Sequence, residues 1–482
     1  MANIYDRYGL FINGAWRGAR DGAEMEVADP GREDVVGTVP VAGAADLDDA
    51  LDAAAAGFAH WRRVSPWERG AVLDRAADLI RERVEDIART MTLETGKPLA
   101  ESRGEINAAA DQFQWYAEET KRIYGQTIEG RTPDIRMQVT YQPVGVTAAF
   151  SAWHFPALLP ARKMAAAQGA GCSVIAKPAG EAPGSAMALV QALADAGLPP
   201  GAVNLVTGKS DPITRHLIGS PVVRKVSFTG SVPVGKQMLK LCADGVKKVS
   251  MELGGHAPVL VFEDADPVAS ARAVAAAKFR NCGQVCISPS RFFVHESIRQ
   301  PFAEAFADVA KAIRIGHGLD DGVEMGPLAN QRGLDHALSL VADATAKGAT
   351  LLAGGGRPAD FNRGYYFEPT VLDEVPDDAR IMSEEPFVPI APVAAFADFD
   401  EAIERANGVP FGLASYVFTQ SLKTANLASE AIEAGMVGVN EVLLATAEAP
   451  FGGIKESGIG REGGALGIKD YLEPKYVKMR LS

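Results

Sequence analysis

The chain has 482 residues, 47% of them apolar and 23% charged, the profile of a folded protein too long for one ordinary core. Its net charge of −13 argues against nucleic-acid backbones and anionic membranes as partners. There is neither a basic-then-apolar leader nor a run of roughly 20 apolar residues, so a cytoplasmic protein is expected.

In chain order, residues 46–95 read as two or three helices. Leu47, Leu51, Ala54 and Phe58 recur at helical spacing, as do Leu73, Ala76, Leu79 and Ile80 after the Ser65-Pro66 break. A further long helix is expected after Pro98, running towards Tyr124. Residues 135–142 alternate like an exposed strand. From 144 the pattern becomes strand–helix: strands at VGVTAAF, SVIAK, AVNLV and KVSF, with helices from 157, 184, 212 and 233. A second such series starts near 257 and continues through RFFVH, with helices near 298–313 and 333–347. Short β-rich runs alternating with helices imply parallel sheets covered on both faces, hence two interleaved α/β units.

The four cysteines, Cys172, Cys242, Cys282 and Cys286, are too few for a disulfide framework. The seven histidines are scattered, and no metal site is expected. The run from Lys225 to Gly235 has the order strand, Gly turn, helix that a dinucleotide pyrophosphate requires. Gly230 lets backbone approach a phosphate, and Ser231 can cap the helix while offering its hydroxyl. An ordinary strand–helix turn has the same look. Lys177 stands at the carboxyl end of SVIAK, where open α/β sheets bind ligands, but also where a solvated lysine is unremarked. Cys286 lies on a polar, Gly-containing loop, and its thiolate would be a good nucleophile. A buried inert cysteine is the alternative. Glu252, just before two glycines, suits a general base or a plain strand-end acid.

Taken together, these stretches resemble the aldehyde dehydrogenase superfamily over nearly the whole chain. The matching segments are Ala152-Trp153-His154-Phe155-Pro156, Lys177-Pro178-Ala179, Phe228-Thr229-Gly230-Ser231, Glu252-Leu253-Gly254-Gly255, Phe279 to Cys286, Glu384-Glu385-Pro386-Phe387 and Pro450-Phe451-Gly452-Gly453. The resemblance implies an α/β fold with a Rossmann-like cofactor-binding domain (1–121 and 143–252) and a second α/β catalytic domain (253–452). A small β oligomerisation extension (122–142 and 453–482) completes it, with a homodimer or homotetramer expected. It implies NAD or NADP as cofactor and a small aldehyde as substrate. Cys286 is then the nucleophile that forms a thiohemiacetal, and Glu252 activates the water that hydrolyses the thioester. Relatives that pass the acyl group to coenzyme A typically lack this glutamate, so a free acid is the expected product. Lys177 is expected at the adenosine ribose with Trp153 nearby, Gly230 and Ser231 at the pyrophosphate, and Glu385 with Phe387 at the nicotinamide ribose and ring, with Leu253 also among the cofactor-binding residues.

This sequence departs from the family pattern at three places. His154 replaces the usual asparagine whose amide shares the oxyanion hole with the nucleophile's N–H. It is expected either to donate through its ring, favouring thiolate on Cys286 when protonated, or to leave a weakened hole. Gly180 replaces a glutamate common in NAD-preferring members, with Glu181 shifted by one, which admits NADP. Val388 replaces a glycine. The closest look is to the succinate-semialdehyde dehydrogenase branch, where Arg162 and Arg280 match arginines that bind the substrate carboxylate. Either could instead be structural. The leading substrate class is a short carboxylate-bearing semialdehyde. The alternatives are an apolar or aromatic aldehyde held by Phe155, Leu159 and Phe451, or a catalytically weak relative with a binding role.

Overall fold

The computed structural model describes residues 3–481. The strand–helix series that begins near 144 forms five parallel strands, in the spatial order Val203–Leu205, Ser173–Lys177, Val146–Phe150, Val223–Thr229 and Lys248–Glu252. Ser173–Lys177 and Val146–Phe150 are buried at every residue, which is why they read as unbroken apolar runs rather than alternating ones. Short antiparallel strands close the two edges. Leu10–Ile12 and Ala15–Arg17 lie on one side, and Gly458–Ile459 lies on the other. Chain order reverses between Val146–Phe150 and Val223–Thr229, so a crevice opens beyond their carboxyl ends.

The N-terminal helices are three: Ala44–Trp61, Pro66–Glu82 and Val84–Thr95. The Ser65-Pro66 break is a capping box. Ser65 Oγ accepts the Glu68 N–H at 3.3 Å, and the Glu68 carboxylate accepts the Ser65 N–H at 3.1 Å. The long helix Leu99–Glu119 ends five residues short of Tyr124. Thr120 Oγ1 donates to Gly169 O at 2.6 Å, and the chain then turns through Gly125, where a Cβ would lie 2.3 Å from Val139 O.

The second series forms a seven-stranded sheet ordered Thr350–Ala353, Thr370–Asp373, Ile390–Phe396, Pro289–His295, Ala257–Val261, Ala414–Phe418 and Met436–Val439. Only its first strand is antiparallel to its neighbour. A third sheet pairs Leu472–Arg480 with Ile135–Pro143 and the latter with Gln126–Glu129, all antiparallel. Strand pairing therefore separates the segment 453–482, which the sequence groups as one extension. Gly458–Ile459 joins the first sheet, and Ile468, Tyr471 and Leu472 pack into that sheet's core. Only the terminal strand reaches the three-stranded sheet. Among the described residues no helix is long and apolar enough to cross a membrane.

Candidate active site

Three strand ends and two loops converge at the crevice. After Phe150 the chain leaves the first sheet and runs through Trp153 and His154; after Thr229 it turns at Gly230 and Ser231; Glu252 ends the next strand. From the second unit come the loop of Cys286 and the segment of Glu385 and Phe387. Together with Leu253 these nine predicted residues line one cavity of about 270 Å³.

The loop that carries Cys286 is held in an unusual backbone. Asn281, Cys282 and Gly283 have φ of 49°, 55° and 70°, a left-handed run that costs of order 1–3 kcal/mol for each non-glycine residue. Hydrogen bonds hold it in place. Asn281 Nδ2 donates to His154 O at 3.0 Å and Gln284 O at 2.9 Å, Gln284 Nε2 donates back to Asn281 O at 3.0 Å, and Gln284 Oε1 accepts the Ala329 N–H. Gly283 admits no side chain, because a Cβ would lie 2.3 Å from Val388 O. Val388 itself is buried in the core of the second unit. The positive φ, 51°, falls on Phe387 instead, so a glycine is not required at 388. The half-buried thiol of Cys286 meets the cavity. Burial pushes its pKa up to about 12, with the Arg162 charge pulling down and Glu252 and Glu385 pushing up. The resting group is therefore a thiol.

Two carboxylates face it. Neither oxygen of Glu252 has a hydrogen-bond partner. Burial first, then the neighbouring Glu462, raise its pKa well above the usual carboxylate range, against Lys163, Arg162 and Arg461. Gly452, at φ 155°, leaves it room, since a Cβ there would stand 2.8 Å from Glu252 Oε1. Glu385 Oε1 accepts the Gly255 N–H at 3.0 Å, and burial lifts this acid to about 7. A Cβ on Gly254 would lie 2.2 Å from Glu385 Oε2, so the Gly-Gly pair makes space for this side chain.

His154 is boxed by the rings of Trp153, Phe155 and Phe387, with centroids 5.9, 5.5 and 5.2 Å away. Its Nε2 is buried without a partner. Burial, then the Lys97 charge, push its pKa down to about 3, so the ring is neutral at physiological pH. This corrects the expectation of a protonated imidazole favouring thiolate on Cys286. A neutral ring still carries one N–H.

Lys177, Gly180, Phe155, Arg162, Arg280 and Phe451 lie outside this cavity. Lys177 is buried at the end of its strand, where its Nζ donates to Ser210 Oγ at 2.8 Å; burial draws its pKa to about 8, opposed by Glu181. Gly180 is half-buried with Met25 Cε 2.8 Å from where its Cβ would be, and Glu181 is exposed. Trp153, expected near Lys177, lines the Cys286 cavity with its ring edge-on to Phe387 at 5.7 Å, two residues beyond Ser151, whose N–H donates to Lys177 O at 3.2 Å. Ser231 occupies the N-cap position of the helix Val232–Asp244, but its hydroxyl makes no cap bond and stays available. Phe155 and Arg280 line a second cavity of about 1040 Å³, the Arg280 guanidinium 5.1 Å from the Phe155 ring centre. Arg162 is buried over the Phe451 ring at 4.0 Å, and the two line neither cavity.

This assembly of a thiol, a buried acid and a strand-end crevice has known counterparts. The family model described as the aldehyde dehydrogenase family matches residues 16–477. The chain belongs to the aldehyde dehydrogenase family. It is 44% identical over 476 residues to the succinate-semialdehyde dehydrogenase (NADP(+)) GabD of Escherichia coli strain K12, covering 99% of this chain and 98% of that one. It is 45% identical over 467 residues to the 3-sulfolactaldehyde dehydrogenase of Pseudomonas putida, covering 97% and 96%. The solved NAD+ complex of aldehyde dehydrogenase from Bacillus cereus matches with a TM-score of 0.97 at 35% identity, covering 100% and 98%. As an aldehyde dehydrogenase the protein is an oxidoreductase that acts on small-molecule aldehydes with NAD or NADP.

Several residues of this aldehyde dehydrogenase's site escape a motif reading. Lys163 Nζ reaches Glu462 at 2.5 Å and Thr229 Oγ1 at 2.7 Å, behind Glu252. Its signal was the Arg162-Lys163 pair inside Leu158–Ala170, a helix otherwise almost wholly apolar and buried at every residue. Lys97 and Glu105, buried beside His154, carry no local signal beyond their charge.

Proposed function

We propose that this aldehyde dehydrogenase oxidises short aldehydes carrying an anionic tail, a carboxylate-bearing semialdehyde such as succinic semialdehyde foremost, to the free acid. The observation that supports this reading is a pair of guanidinium groups that no carboxylate engages in a salt bridge. Among the described residues neither Arg162 nor Arg280 forms a salt bridge, and Arg162 Nε is buried with no hydrogen bond. A guanidinium withdrawn from water calls for an anion. Acids do line the cavity of Arg280, but Glu105, Asp111, Glu118 and Glu119 are already paired with Lys97, Arg81, Lys121 and Arg122. Glu101 accepts the Asn281 N–H at 2.9 Å, and the sixth acid, Glu448, is exposed at the rim and forms no salt bridge among the described residues. The relatives named for succinic semialdehyde and 3-sulfolactaldehyde share the feature of an anionic tail.

In the reaction so read, the Cys286 thiol gives its proton to Glu252, which passes it on to solvent, as Sγ attacks the aldehyde carbon, and the developing oxyanion is met by the His154 ring N–H and the Cys286 main-chain N–H. When bound, NAD or NADP would supply the acceptor for the hydride that this oxidation releases. The residues present suit that group. Ser231 offers an uncommitted hydroxyl at a helix N-terminus, Lys177 is a buried ammonium whose hydrogen-bond partner is a hydroxyl, and Gly180 brings no carboxylate against a 2′-phosphate. Glu252, with both oxygens uncommitted and its pKa raised, takes the proton from the water that hydrolyses the thioester and returns it to the departing Cys286 sulfur, restoring the thiol as the free acid leaves. The three-stranded sheet of Leu472–Arg480 supplies the edge for a homodimer or homotetramer, and the setting is cytoplasmic.

Initial rates with succinic semialdehyde, benzaldehyde and hexanal test the substrate class. Succinic semialdehyde is expected to have the highest kcat/KM. A preference for hexanal or benzaldehyde would overturn the anionic-tail reading, and absence of turnover with all three would favour a binding role.

A further inference from the structure

A buried ion pair stands beside the oxyanion site without touching the reacting atoms. Lys97 follows Gly96, whose left-handed φ of 77° ends the helix Val84–Thr95, and its side chain is 1% exposed. Glu105, 2% exposed on Leu99–Glu119, accepts from Lys97 Nζ at 2.5 Å. Dehydrating two ions is offset only by excellent geometry, so such a pair is weak evidence of a stabilising role. What the pair grips is one stretch of main chain. Glu105 Oε1 accepts the Ala157 N–H at 2.8 Å and the Leu158 N–H at 3.2 Å. These are the opening N–H groups of Leu158–Ala170, a helix with no side-chain cap of its own. Lys97 Nζ donates to His154 O at 2.8 Å and sits 4.5 Å from the Phe155 ring centre. Asn281 Nδ2, from the nucleophile loop, donates to the same His154 oxygen at 3.0 Å.

With both lone pairs of the His154 carbonyl engaged, the peptide plane is set, and with it the direction of the Cα–Cβ bond. The ring's remaining freedom is closed off by Trp153, Phe155 and Phe387. We infer that Lys97 is a positioning residue for the oxyanion donor: through the His154 carbonyl, shared with Asn281, it sets where the His154 ring stands relative to Cys286. The inference rests on the reading of His154 as oxyanion donor given above. Misplacing a reacting group by about 1 Å costs on the order of 10²-fold in rate.

Lys97→Met alone would leave Glu105 charged and unpaired, so the paired variant Lys97→Met with Glu105→Gln is compared with it, and Lys97→Arg serves as conservative rescue. The single-turnover rate of cofactor reduction, the aldehyde KM and the rate at which iodoacetamide alkylates Cys286 are measured in the natural and His154→Ala backgrounds. The paired variant is expected to slow single turnover by roughly 10–100-fold with KM and alkylation changed by no more than about threefold. Lys97→Arg should recover part of the rate. In the His154→Ala background the effect should vanish, since nothing remains to be positioned. A loss of equal size in that background, a parallel loss of thiol alkylation, or no loss at all overturns the positioning role. If His154→Ala by itself turns over as fast as the natural enzyme, the donor reading fails and takes this inference with it.

Discussion

His154 gives the sharpest separation of catalysis from stability, because its Nε2 is buried with nothing to bond in the resting site. Truncating it removes no hydrogen bond from the folded state, yet on the proposed reading it removes a donor from the transition state. Loss of one oxyanion donor costs about 3–4 kcal/mol, so His154→Ala should lower kcat by about 10²–10³-fold. His154→Asn keeps an amide donor and should stay within roughly tenfold of the natural enzyme. The same residue sets an acid-stability signature. Its pKa in the folded protein, about 3, lies below the unfolded value near 6.5. The native state therefore binds fewer protons, and its stability is complete above pH 6.5 and declines as pH falls towards 3. At pH 5 the loss from this one group is about 2 kcal/mol. His256, also buried and neutral, contributes equally to both proteins and drops out of the difference. Urea unfolding at pH 7.5 and pH 5 should thus show the Asn variant losing about 2 kcal/mol less than the natural protein. A pH–kcat profile should show no inflection near 6.5 that His154→Asn removes. An Ala variant within threefold of natural kcat, or identical acid losses in both proteins, would refute the reasoning.

Two further outcomes follow from the geometry. Arg280→Ala removes an unpaired guanidinium from the larger cavity and should raise the KM for succinic semialdehyde by about 10–100-fold, leaving that for hexanal unchanged, as loss of a charge-assisted bond predicts; steady-state kinetics with both aldehydes decide it. Gly254→Ala places a methyl group where Glu385 Oε2 now lies and should weaken NAD binding by roughly tenfold while shifting Tm little, which calorimetric titration and thermal melts report.

Much of this molecule was legible before its structure. The parallel strands announced themselves as short apolar runs, and the Ser65-Pro66 break fell where the capping box sits, because local chemistry decides both. The motifs located nine residues of the cavity because strand ends and Gly turns are sequence-local features that the sheet then gathers. Long-range burial was not legible. The protonation state of His154 depends on Lys97, 57 residues earlier, and on three aromatic walls. The left-handed backbone at Asn281, a residue type that adopts it more readily than most, is anchored by the His154 carbonyl 127 residues away. The segment Gly458–Ile459 carries no mark that sends it to the first sheet instead of the third.

The central claim is that Cys286 carries the acyl intermediate and Glu252 its hydrolysis. Glu252→Gln, mixed with succinic semialdehyde and NAD and quenched in acid, can be digested and read by mass spectrometry. The account predicts a succinyl group on the Cys286 peptide, formed as the cofactor is reduced and hydrolysed far more slowly than in the natural enzyme. Reduced cofactor without acylation of Cys286, or an acyl group on Cys172, Cys242 or Cys282 instead, would contradict it.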